Sequence, residues 1–85
     1  MRLDKYLKVS RIIKRRTVAK EVAAGKRVRV NGQIAKPSTE VSMGDVIIIG
    51  FGNKTVTIKV TKIQESSSKD EAHSMYQIIE EKIES

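Results

Sequence analysis

The stretch from Arg11 to Gly32 has the least freedom in how it folds. Ala19, Val22 and Ala23 recur at helical spacing, with Val18 at the margin, and predict a helix over about Arg16 to Ala24 with one small apolar face. Gly25 follows the last periodic residue, where a left-handed stop favours glycine. Val28 and Val30 alternate with Arg27 and Arg29, which is strand period. Asn31-Gly32 then predicts a tight hairpin turn, because both residues tolerate positive φ.

The flanking segments extend this unit. Leu3, Tyr6 and Leu7 fit one inward face of a first short helix over 2–9, with Asp4 in its first turn, where negative charge suits the helix dipole. Arg2, Lys5 and Lys8 recur every three residues beside that face. Ile12 or Ile13 plugs the connection, and Arg15-Arg16 opens the second helix. Its free N–H groups suit a phosphate, and arginines add bidentate contacts. Arg11 and Arg15 are four apart if that helix extends so far; Arg16 and Lys20 are four apart within it. Pro37 marks a loop and Gly44-Asp45 a turn. Val46-Ile47-Ile48-Ile49 reads as a central strand covered on both faces, and Val56, Ile58 and Val60 as the inward set of an alternating strand. Ser68-Lys69-Asp70-Glu71 fits a capping box, and Ala72, Met75, Ile78, Ile79 and Ile83 fit the stripe of a terminal helix with Glu80, Glu81 and Glu84 outside. That helix either docks by its stripe or frays as a tail. The expected fold class is α+β: two short helices on a small, mainly antiparallel sheet, with a domain over 1–65 and an acidic C-terminal helix or tail over 66–85.

Charge is unevenly placed. Residues 1–36 hold 12 Lys/Arg against 2 acids, residues 37–65 hold 3 of each, and residues 66–85 hold 2 against 5, within a chain of 85 residues and net charge +7. A basic lobe on a neutral body points to a polyanion partner. Lys14, Arg15 and Arg16 repel one another unless an anion relieves them. Only Tyr6, Phe51 and Tyr76 are aromatic, too few for a single-strand stacking surface, and Tyr6 reads as core. The absence of cysteine and the single histidine, His73, argue against disulfides, a metal site and a Ser-His-Asp triad. Asp4, Glu21 and Asp45 lack the spacing of a catalytic carboxylate pair. No cofactor or enzyme activity is expected. No apolar run approaches membrane-spanning length and no signal peptide is seen, so a soluble, cytoplasmic protein with no membrane partner is expected; it is also expected to be a monomer.

Arg2-Leu3-Asp4-x-x-Leu7, Arg16-x-x-Ala19, Gly25, Val28-x-Val30-Asn31-Gly32, Pro37-Ser38 and Gly44-Asp45 together resemble the alpha-L RNA-binding motif, the domain named for ribosomal small-subunit protein four. The match covers residues 1 to about 50. Within that superfamily the chain resembles the heat-shock-fifteen type of ribosome-associated protein, and especially the short bacterial RqcP family. The cues are the size, Val9-Ser10-Arg11-x-Ile13-Lys14-Arg15-Arg16-Thr17, the Phe51-Gly52 turn and the acidic tail with Met75-Tyr76. The resemblance implies binding to large-subunit rRNA and tRNA on stalled large ribosomal subunits that still hold peptidyl-tRNA. There an RqcH-type factor directs C-terminal alanine tailing. Arg2 and Arg16 match the superfamily's RNA-contacting arginines, and Arg11 and Arg15 belong to the narrower signature. Many members have serine, a better helix cap, where this chain has Arg15.

The expected RNA-binding surface therefore comprises Arg2, Arg11, Lys14, Arg15, Arg16 and Lys20, with Lys5, Lys26, Arg27 and Arg29 secondary. Two alternatives stay open. One is a general rRNA- and tRNA-binding rescue or ribosome-assembly factor without a tailing role. The other is a basic protein-interaction module, separable from RNA binding by pull-down after nuclease treatment.

Overall fold

Leu3, Tyr6 and Leu7 meet the sheet as their spacing requires. In the computed structural model, which describes residues 1–83, the first helix α1 spans Leu3–Val9 and buries all three completely. Its first amides are taken: Leu3 N–H donates to the Thr39 carbonyl at 2.8 Å, Asp4 N–H to Pro37 at 3.1 Å, and Lys5 N–H to Asp4 Oδ1 at 2.8 Å. The second helix α2 spans Arg16–Ala24 and turns Ala19 and Ala23 inward. Of the two connecting isoleucines, Ile13 is buried and Ile12 half-buried.

The stop after α2 corrects the expectation for Gly25. Gly25 has φ −77°, and the left-handed residue is Lys26, at φ 61°. Lys26 N–H donates to Ala23 O and Arg27 N–H to Val22 O, the paired bonds of a Schellman stop with lysine where glycine is commonest. Glycine at 25 matters for space instead, since a Cβ there would meet the Glu21 carbonyl at 3.2 Å. Arg11, just past α1, is also left-handed, at φ 62°. It lies outside α2, so the helical Arg11–Arg15 pairing does not form.

Five antiparallel strands complete the domain: β1 Val28–Val30, β2 Gln33–Ile34, β3 Val46–Phe51, β4 Lys54–Val60 and β5 Tyr76–Ile83, in the order β2-β1-β3-β4-β5. Asn31 and Gly32 both take positive φ, 52° and 85°, as the hairpin turn requires. Asn31 also fixes the next strand: its side-chain amide donates to Asp45, and its side-chain oxygen accepts from Val46 N–H at 3.0 Å. Val28, Ile47, Ile49, Val56, Ile58 and Val60 supply the inner face and join the helical residues in one core.

Two expectations change here. β3 is central, but Ile48 is only half-buried, in a shallow outer groove with Thr55, Thr57, Glu80 and Lys82, so its outer face has no covering layer. The terminal helix stops early. The Ser68 capping box forms, but the helix it starts, α3, spans only Lys69–Ala72, and a short 3-10 turn over His73–Met75 leads into β5. The cause is the Met75 carbonyl, which accepts from the Tyr6 hydroxyl at 2.7 Å, Thr61 N–H at 2.9 Å and Lys62 N–H at 3.2 Å. Those long-range bonds bring the chain alongside β4. β5 carries one bulge: Ile58 pairs with Ile78 but Thr57 with Glu80, leaving Ile79 as the extra residue. Glu84, placed by sequence on the helix's acidic face, lies outside the described residues.

Candidate nucleic-acid interface

Asp4 is the organising acid of the basic lobe. Its side chain is almost fully buried, yet it meets two half-exposed arginines. Arg2 Nε lies 3.3 Å from Oδ1 and Arg2 Nη2 3.3 Å from Oδ2, while Arg16 Nη2 reaches Oδ1 at 3.6 Å from the other helix. A buried carboxylate needs such partners, since an unpaired one would be costly. The guanidiniums keep solvent-facing edges, and each has more donors than one shared carboxylate takes.

The start of α2 differs from that of α1. Arg15 is its N-cap in extended conformation, without a side-chain cap, and the first turn holds no acid. The positive end of this helix, with Arg15 and Arg16 beside it, therefore suits an anion. Lys20 lies one turn on, also exposed.

A second basic group sits at the C-terminal end of α1 and in the connection after it. Lys8, Arg11 and Lys14 line a groove whose opposite wall is Glu65, Ser66 and Ser67. Ser67 Oγ donates to the Val9 carbonyl at 2.6 Å and holds that wall in place. Lys5 is half-buried and donates to Glu65, which holds the Glu65 carboxyl below its usual range.

The remaining candidates are dispersed. Lys26 and Arg27 are exposed at the end of α2. Arg29 pairs in register with Ile48 and so lies on the outer sheet face, away from the helices. Sequence reasoning missed Lys8 as a groove residue. It also discounted the aromatic residues, although Phe51 and Tyr76 line one cleft together with Arg11 and Ile12. Among the described residues, no cluster of three metal-ligating side chains occurs, and no helix is long and apolar enough to cross a membrane.

Comparison with known proteins gives this geometry a context. The sequence model of the S4 domain family matches residues 1–47. An RQC P-site tRNA stabilizing factor of Listeria monocytogenes is 59% identical over 81 residues, covering 95% of this chain and 88% of that protein. The factor of the same description in Bacillus subtilis is 52% identical over 81 residues, covering 95% and 94%. Heat shock protein 15 of Escherichia coli is 35% identical over 85 residues, 99% of this chain and 64% of that protein. The structure of Vibrio cholerae heat shock protein 15, solved as a trimer, is similar at a TM-score of 0.85 and 37% identity, covering 92% of this chain and 80% of that one.

Proposed function

The chain belongs to the family of RQC P-site tRNA stabilizing factors, which are S4-domain proteins, and we propose that it is a non-catalytic RNA-binding factor of ribosome-associated quality control. It acts in the cytoplasm as a monomer on stalled large ribosomal subunits. It holds peptidyl-tRNA against large-subunit rRNA while an RqcH-type factor extends the nascent chain with C-terminal alanines.

The observation that carries this reading is the pair of arginines gathered on buried Asp4 beside the uncapped start of α2. Structured RNA presents dense phosphates and shape rather than readable base edges, and an arginine-rich helical face matches that. Arg2, Arg15, Arg16 and Lys20 grip one backbone; Arg11 and Lys14, on the other basic group, grip a second. Two contact groups, one on the Asp4 cluster and one along the groove, are what a bridge between two RNAs requires.

A density map of large subunits purified with this chain tests the assignment. The expected result is the chain wedged between tRNA and rRNA with Arg16 at a phosphate. Retention of the chain on a protein partner after complete RNA digestion would overturn it in favour of a protein-interaction module.

A further inference from the structure

Beside the Lys8–Arg11–Lys14 groove lies a cleft of about 330 Å³ that phosphate contacts leave unexplained. Its floor is Val56 and Ile58 of β4, and its sides carry Ile12, Phe51 and Tyr76. Phe51 closes β3, Tyr76 opens β5 and Ile12 follows α1, so three distant parts of the sequence converge. Both rings are only half-buried, and Ile78 at the rim is 50% exposed. The size falls at the low end of ligand clefts, roughly 300–1,000 Å³.

Arg11 lines both the groove and the cleft, on a backbone held left-handed at φ 62°. A non-glycine residue adopts that conformation only when its surroundings impose it. The acids nearby are already engaged: Glu65 with Lys5, and Glu81 with Lys54 at 3.7 Å. The unspent charge facing a ligand is therefore positive along one wall, and the neighbouring surface is apolar and aromatic. A flat ring attached to an anion fits both. A second copy of this chain, at net charge +7, does not.

We propose that this cleft takes one unstacked nucleobase of the bound RNA, stacked on Phe51 at one end while Tyr76 closes the other, with the adjoining phosphate on Lys8, Arg11 and Lys14. The inference rests on the RNA-binding reading and deepens it: it names a single-stranded nucleotide as a ligand, where the helices grip backbone. Single-stranded RNA is recognised in this way, by rings that accept a splayed base while cations hold its phosphate.

The test uses the whole chain and a single-stranded RNA hexamer with 2-aminopurine at its centre, beside a hexamer abasic at that position. The base-containing hexamer is expected to bind about fivefold or more tighter, as base–aromatic stacking predicts. It should shift the ring protons of Phe51 and Tyr76 in NMR spectra. Phe51→Leu keeps an apolar side chain but removes the ring, and should reduce the base-containing hexamer to the abasic affinity while leaving the abasic hexamer unchanged. The abasic comparison needs no variant, so it stands even if Phe51→Leu unfolds. Equal affinity of the wild type for the two hexamers, or unmoved ring protons, overturns the inference. So does movement of those protons by an acidic aromatic peptide or by raising the protein concentration, with none by RNA. Transfer RNA titrated in the same buffer separates the two readings. If tRNA binds while the rings stay still, the cleft alone is wrong; if tRNA fails to bind, the wider assignment falls.

Discussion

The Arg16 guanidinium reaches across from α2 to Asp4 on α1, Nη2 to Oδ1 at 3.6 Å, and shares that carboxylate with Arg2. One buried acid thus sets the spacing of two exposed cations, one just before α1 and one in α2. Asp4→Asn keeps the shape but removes the charge that both arginines answer. We expect it to lower stability by about 1–2 kcal/mol, a fall of about 4–8 °C in Tm per kcal/mol for a domain this size. Thermal unfolding by circular dichroism checks it.

Arg16→Ala should leave the fold intact and weaken binding to large subunits by about 1–3 kcal/mol, with Arg16→Lys between it and the wild type. If about five phosphates are contacted, raising salt from about 50 to 200 mM should cost roughly two to three decades of affinity. In Arg16→Ala the slope should fall by about one contact. Sedimentation across a salt series measures both, and a salt-insensitive affinity would count against the whole scheme.

The two left-handed basic residues allow stability and binding to be separated. Arg11→Gly relieves a backbone at φ 62° and deletes a groove cation. It should raise stability by about 0.5–1 kcal/mol while weakening RNA binding by about 1–3 kcal/mol. Lys26→Gly should bring the same gain in stability with a smaller loss of binding. Urea unfolding and RNA titration on the same samples give the two signs.

Burial, with Tyr76 adding to it, raises the Tyr6 phenol above its ordinary value of 10.0. Because the folded value exceeds the unfolded one, this stabilisation is fully present below about pH 10 and is lost as pH rises toward the folded value. Tyr6→Phe removes the hydrogen bond to the Met75 carbonyl, which keeps two backbone donors, so it should cost about 0.5–1.5 kcal/mol at neutral pH. It should also flatten the alkaline loss. Denaturant midpoints at about pH 7 and pH 11 test both.

The segments whose order is local were legible in the sequence. Helix α2 begins and ends where its alanine spacing places it, and the Asn31-Gly32 turn needs only its own dihedral preferences. The Ser68 cap was equally readable, but the early end of its helix and the strand beyond were not. Met75 and Ile78 fit a helical stripe as well as they fit a strand, and the bulge at Ile79 breaks the alternation that would have identified the strand. The deciding bonds at Met75 come from Tyr6, Thr61 and Lys62, which spacing does not reveal. At the candidate interface, charge density pointed to the basic lobe, but nothing in the order of residues places Asp4 under Arg16 or brings Phe51 and Tyr76 to one cleft.

The Ile78–Ile79 pair gives the last strand a built-in spare. Ile78 stands against Ile58, and Ile79 is the residue the ladder leaves over. Losing either isoleucine would straighten the strand and still leave an isoleucine against Ile58, with Glu80 and Glu81 opposite the same partners. The chain can shorten by one at this point without changing the lining of the cleft beside it.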